Sequence, residues 1–258
     1  MLTPWKSTAR SRELLLILVG RNLKIRYKNS ALGFFWTLLG PLLLILIYAL
    51  FLRVLRFPIR LPVLVTGIIV WQFHAMCLGD SLHAIVGNAN LVKKTALPRI
   101  VFPAAMVTAN LVNFLLSFAV LCIYLAIVRA DFGAVYWLPV IVLSQAALCL
   151  GVSLIVSCAN VFFRDTEHIL SVVLLGWFFL TPVIYPISLV VEAFPRWVHV
   201  LFFLNPMTGI VTAYRGVLLS AGSGGVPFLG LSFGVAWLFL AGGLAVFQSF
   251  QARFSDEL

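Results

Sequence analysis

The groups able to do chemistry in this 258-residue chain are few: eight carboxylates, four histidines and four cysteines, beside eighteen Lys and Arg. The carboxylates are Glu13, Asp80, Asp131, Asp165, Glu167, Glu192, Asp256 and Glu257. Only Asp165 with Glu167, and Asp256 with Glu257, are close in sequence. Such a pair is what general acid–base catalysis would require, in the absence of a metal site. His74, His83, His168 and His199 are scattered without metal-ligand spacing, and read as polar or packing residues. Cys77, Cys122, Cys149 and Cys158 contain no C-x-x-C and sit in apolar runs, where they read as small packing residues. The sequence has no G-x-x-x-x-G-K-[ST], no H-E-x-x-H and no G-x-S-x-G. The chain therefore brings no P-loop of its own, no zinc-protease helix and no nucleophile elbow. Asp165 and Glu167 also suit a blander role, at the N-terminus of a helix, where acidic groups are favoured.

The elements that hold these groups are set by composition. Apolar residues make up 62% of the chain and charged residues 10%, where a soluble domain carries about 25% charged. A soluble fold of this size has too little polar surface for such a sequence. A bilayer core of roughly 30 Å needs about 20 helical residues, and uncharged windows of that order recur at 29–52, 61–79, 100–128, 132–163, 168–191 and 216–252. A membrane β-barrel would show alternating segments of about ten residues instead. The expected fold is an all-α membrane protein with six transmembrane helices, forming a single transmembrane domain over 1–258. Spans are expected at about 33–52, 61–80, 101–128, 135–160, 168–185 and 228–250. Three further segments stand out. Residues 10–28 form a basic helix lying on the membrane: at 100° per residue, Arg21, Lys24 and Lys28 fall within about 60° of one another, opposite Leu16, Val19, Leu23 and Tyr27. Arg26 and Ile17 break that pattern. Residues 81–99 are polar and long enough for a short helix, either a plain connection or a docking element. Residues 187–220 are apolar but broken by Pro195 and Pro206, and fit short re-entrant helices on the outer side before the last span.

Charge then orients the chain. With the N-terminus inside, twelve Lys and Arg fall on the inner side and six on the outer, which supports cytoplasmic N- and C-termini. The net charge of +10 is spent at span edges and headgroups, not on nucleic acid. The run Leu14 to Val19 is too short for a signal-peptide core and meets Arg21 and Lys24 at once, so no cleavage is expected. No carboxylate lies at the centre of a window. A charge there costs a few kcal/mol and is retained for ion or proton coupling, so its lack argues against an ion-driven carrier. The energy for any work must enter from another subunit. The cluster Trp177, Phe178, Phe179, Tyr185, Phe194, Trp197, Phe202 and Phe203 is dense near the broken region. Most of these rings serve packing, and a minority facing a pore would suit a carbohydrate.

A family resemblance emerges at this point. Arg26-Tyr27-Lys28-Asn29-Ser30-Ala31-Leu32-Gly33-Phe34-Phe35-Trp36, followed by Gly40-Pro41, resembles the opening of the membrane subunits of polysaccharide-exporting (type-2) ABC transporters, which export O-antigen, teichoic acid or capsule. Asn88 to Lys94 with Leu97-Pro98-Arg99 resembles their first cytoplasmic loop, and Asn160 to Asp165 their second. Thr181 to Pro186, Asn205-Pro206-Met207 and Tyr214-Arg215 resemble the fifth span and outer segment. The turn after the first span is shorter and more basic than in many relatives.

The resemblance implies a multi-pass protein of the bacterial inner membrane, working as two copies bound to two ATP-binding cassette subunits that carry ATP and Mg, with no cofactor in this chain. The cargo would be a glycan on an undecaprenyl-pyrophosphate carrier, passing through a pore between the two copies. It implies an ATPase-coupling set of Asn90, Leu91, Val92, Lys93, Lys94, Arg164 and Asp165. A lipid-pyrophosphate loading set would comprise Arg21, Lys24, Arg26, Lys28, Leu32 and Gly33. A pore set would comprise Phe178, Phe179, Tyr185, Trp197, Phe202 and Phe203. The alternatives are an ABC permease for a drug or another lipid, an integral-membrane enzyme acting on lipid-linked sugars, and a non-catalytic membrane scaffold.

Overall fold

The structure, a computed structural model, describes residues 4–27, 35–56, 60–94, 98–130, 132–220 and 226–258. Every regular element among them is helical: α1 (Pro4–Tyr27), α2 (Trp36–Val54), α3 (Leu61–Leu82), α4 (Ala89–Lys94), α5 (Val101–Ile127), α6 (Leu138–Phe162), α7 (Thr166–Leu180), α8 (Ser188–Ala193), α9 (Arg196–Leu204), α10 (Pro206–Leu219), α11 (Val226–Phe250) and α12 (Phe254–Glu257). Four helical stretches are long and apolar enough to cross a membrane: Leu61–Leu82, Val101–Ile127, Val135–Phe162 and Gly230–Glu257. A fifth crossing results if the bent pair α9–α10 counts as one. The window expected at 33–52 is taken by α2, apolar over Leu39–Val54, and the one expected at 168–185 by the shorter apolar helix Thr166–Leu180.

Local chemistry explains where these helices begin and stop. Pro62 and Pro139 sit in the first turns of α3 and α6, where a missing N–H costs nothing. α7 was expected to reach 185 and ends at Leu180. Its next residue, Thr181, precedes Pro182 and is extended at ψ 137, because the proline ring disfavours a helical conformation in the residue before it. The fifteen residues of α7 rise about 22 Å. Between α9 and α10 the chain turns by 91°. Asn205 makes that corner: its side-chain oxygen accepts from the Met207 N–H at 3.1 Å, and Pro206 opens α10. Ser220 closes α10 in the left-handed conformation, φ 43.

Packing centres on α3. Three polar side chains of α6 donate to α3 carbonyls along its length: Gln145 to Val70 at 2.8 Å, Ser153 to Cys77 at 3.3 Å and Asn160 to Leu82 at 2.9 Å. Such bonds join helices where lipid removes the hydrophobic drive between them. The most extensive helix pair is α6 with α11. There the backbones touch: a Cβ on Gly151 would collide with the Phe239 carbonyl, and one on Gly243 with the Gly151 carbonyl. Buried apolar residues form one large cluster around α3, α5, α6 and α10, and a second at the α4 end, joining Leu18, Val19, Val92, Phe102, Phe247 and Phe254.

Overpacking a tight contact costs roughly 1–3 kcal/mol. Gly243→Ala is therefore expected to lower the detergent melting temperature by several degrees, while Gly242→Ala, which meets no atom within 4 Å, leaves it unchanged. Equal melting of the two variants in a fluorescence-detected thermal scan would contradict the backbone contact.

Candidate functional site

Polar and charged side chains gather at the two ends of the bundle. At one end lie α1, α4, the 163–167 turn and the end of α3. Arg21 of α1 donates to Asn88 Oδ1 at 2.7 Å, and the buried Asn88 donates to the Ala84 carbonyl at 2.8 Å. Arg26 is ion-paired with Asp80 of α3, and Asn110 of α5 donates to the same carboxylate oxygen at 2.8 Å. One carboxylate thus ties α1, α3 and α5 together. Asn22 contacts Met106 Sδ at 3.2 Å, a further α1–α5 link.

These bonds explain α1. Its protein side is Leu18 and Val19, with Leu14, Leu15 and Leu23 partly buried. Its open side carries Leu16, Ile17 and Ile25 beside the exposed Arg12 and Lys24. The division expected from periodicity differs at Leu16, which is exposed although Val19 is buried. Arg26, which broke the helical pattern, turns toward Asp80. Of the loading set, Lys24 is exposed, Arg21 and Arg26 already hold partners, and Lys28, Leu32 and Gly33 lie outside the described residues.

The coupling set falls at the same end. α4 follows a 3-10 turn at Val86–Asn88. Asn90, Leu91 and Lys93 are exposed, and Val92 is buried at 2% exposure as the helix's anchor. The Lys94 side chain lies outside the described residues. Arg164 and Asp165 are exposed in the turn before α7. Asp165 occupies the N-cap position without a capping bond, and Glu167 lies in the first turn, 3.7 Å from His83 of the α3 end.

The opposite end is organised by Arg215 of α10. It is 6% exposed and has no acidic partner among the described salt bridges. Its guanidinium donates to four carbonyls: Val63 at 3.0 and 3.1 Å, Pro182 at 2.6 Å, Val183 at 2.6 Å and Tyr185 at 3.0 Å. Gly67 makes room, since a Cβ there would lie 2.6 Å from Arg215 Nη2. The sequence counted Arg215 among the outer charges and within the Tyr214-Arg215 motif of the resemblance, without assigning it a partner. The available signal was an arginine alone in an apolar helix.

The pore set does not converge on one surface. Phe178 and Phe203 are buried in the core, with Phe178 5.5 Å from Trp71 and 5.6 Å from Tyr48. Tyr185 and Phe202 are half-buried, and the Tyr185 hydroxyl donates to the Phe179 carbonyl at 2.9 Å. Phe179 and Trp197 are exposed. Trp177, which donates to Asn205 Oδ1 at 2.7 Å, forms with Trp197, Leu201, Phe202 and Phe239 part of an open apolar groove of about 850 Å³. No group of three His, Cys, Asp or Glu side chains suited to a metal occurs among the described residues.

The profile of the ABC-2 type transporter family matches residues 13–219. An O-antigen export system permease protein RfbA of Klebsiella pneumoniae is 29% identical over 252 residues, covering 95% of each chain. A protein of the same name from Myxococcus xanthus is 33% identical over 255 residues, covering 96% of each.

Arg215→Met would strand four carbonyls, each worth about 1–3 kcal/mol when left buried without a donor. The variant is expected not to accumulate as a monodisperse species in mild detergent, and Arg215→Lys to accumulate at reduced yield. Normal elution of Arg215→Met would show that the arginine does not organise this end.

Proposed function

This chain belongs to the ABC-2 type transporter family, and on that premise we propose that it is the membrane subunit of an exporter for a lipid-linked polysaccharide of the O-antigen type. Membership makes it the membrane component of a transporter, not an enzyme, working with an ATP-binding partner subunit. The observation that carries the substrate class is the extent of the likeness to O-antigen permeases, 95% of both chains, which covers the whole permease and not a shared fragment.

In this reading two copies assemble with two ATP-binding subunits, which hold ATP and Mg. Each copy crosses the bacterial inner membrane six times, with both termini in the cytoplasm. The spans are α2, α3, α5, α6, α7 and α11, and α8 to α10 form the re-entrant outer segment. The α1 end then faces the cytoplasm, and the twelve inner cations support that orientation. α4 docks on the ATPase through Asn90, Leu91 and Lys93, with Arg164 and Asp165 beside it, while Val92 fastens it to the bundle. Lys24, exposed beside Ile25, meets the pyrophosphate of the undecaprenyl carrier, because charge-assisted bonds to phosphate are strong. Arg21 and Arg26 hold α1 in place for that contact. Exposed Phe179 and Trp197 supply aromatic faces to the sugar chain between the copies.

Leu91→Asp combined with Lys93→Glu is expected to cut co-purification of the ATP-binding subunit about tenfold or more, since desolvated interface anchors are worth about 2 kcal/mol or more each. Full retention would remove α4 from the interface. Lys24→Glu should lower surface O-antigen on immunoblots while the ATPase stays bound; unaltered surface glycan would remove Lys24 from loading. Deleting the gene should abolish surface O-antigen, and a strain that keeps it would overturn the substrate class.

A further inference from the structure

The buried cluster at the α4 end contains a segment that docking and loading leave unused. α12 follows α11 through a 3-10 turn at Gln251–Arg253. Its first residue, Phe254, is fully buried. The ring lies 5.3 Å from Phe247 of α11, edge-on at 80°, and 6.0 Å from Phe162 at the end of α6. Arg99 also lies over the ring, its guanidinium carbon 6.0 Å from the Phe254 centroid. Arg99 Nη2 also donates to Ser255 Oγ at 2.5 Å. Arg99 belongs to the turn that opens α5, five positions beyond α4, and α12 touches α4 directly.

α4 needs this support. Six residues cannot hold a helix by local bonds alone, because nucleation is costly and short helices are marginal in water. Its only buried anchor among the described side chains is Val92, which packs in the same cluster as Phe254. A push on α4 at that one point would be taken up locally unless α12, which touches it, is also fixed. Arg99 fixes α12 to the start of α5, through a charge-assisted bond to Ser255 and a cation–π contact with Phe254. Phe254 in turn sits against α6 and α11, the two helices whose glycines bring their backbones together.

We propose that Phe254 and Ser255 are positioning residues for transport: held by Arg99, they brace α4 against the ends of α6 and α11, so that movement imposed on α4 reaches that pair. This rests on the reading that α4 docks the ATP-binding subunit. The brace belongs to coupling, not to docking. Removing it uncouples ATP hydrolysis from export without releasing the partner.

The test uses the complete complex, expressed in its host, with three readouts on each variant: stoichiometry of the co-purified ATP-binding subunit, its ATP hydrolysis, and surface O-antigen per ATP hydrolysed. Ser255→Ala removes the hydrogen bond, Arg99→Lys removes the planar guanidinium, and Phe254→Ala removes the ring. Coupling free energies between sites typically correspond to 5–150-fold effects. Phe254→Ala is expected to lower export per ATP about tenfold, and Ser255→Ala and Arg99→Lys about twofold to fivefold, with the ATP-binding subunit retained. Phe254→Tyr keeps the aromatic face and is expected to restore most of the coupling. Asp256→Asn with Glu257→Gln, both exposed, should change nothing. Unchanged export per ATP in Ser255→Ala and Arg99→Lys overturns the proposal, whether or not Phe254→Ala accumulates. So does loss of the ATP-binding subunit in step with export, which would make α12 part of the dock. The Leu91 and Lys93 variants, run beside them, report separately on the reading beneath: if they keep the partner, α4 is not the dock, and that failure is distinct from failure of the brace.

Discussion

Arg215 holds a charge inside an apolar bundle, and the local backbone is shaped to receive it. Charge in a low-dielectric interior is tolerated only when its hydrogen-bonding groups are met. No carboxylate pairs with it among the described residues, and the chain supplies carbonyls from three places: the start of α3, the turn after α7, and the run up to Tyr185. The demand works in both directions. The carbonyls at Pro182, Val183 and Tyr185 lost their helical donors when Pro182 stopped α7, and the arginine replaces those donors. α7 can therefore end early, α10 is fixed against α3, and the bent pair α9–α10 has a rigid seat. Gly67 is the complement on α3, because a side chain there would occupy the guanidinium's place.

The other end uses a similar device with the opposite balance of charge. Asp80 gathers Arg26 and Asn110, and Asn88 gathers Arg21. α1 is thus joined by polar bonds to α3, α5 and the turn leading to α4, beyond the apolar contact of Leu18 and Val19. α3 runs between the two ends and is met along the way by the donors of α6. α4 follows one end of this central helix, and Arg215 is bound at the other.

Much of this was legible in the sequence wherever one residue property decides the outcome. Window length and apolarity placed α3, α5, α6 and α11 to within a few residues, and the polar break at 81–99 held α4. The proline-broken stretch 187–220 did become three short helices. What escaped depends on partners distant in sequence. Periodicity put Leu16 on the same face as Val19 and treated Arg26 as an irregularity, because it knows nothing of Asp80, 54 residues away. Composition grouped the aromatics near 177–203, but burial divides them: Phe178 and Phe203 fill the core, while Phe179 and Trp197 remain open. Arg215 looked like an edge charge because a count of cations carries no information about the carbonyls that surround it.

The bonds from α6 to α3 have a mechanical meaning. Gln145, Ser153 and Asn160 each meet a particular carbonyl, at Val70, Cys77 and Leu82. Displacing one helix along the other by a single residue, about 1.5 Å, would take all three donors off their acceptors together. Tilting the pair as one body disturbs none of them. The centre of this protein is thus geared against sliding, and α3 and α6 can rock only together. α11, locked to α6 through Gly151 and Gly243, must rock with it.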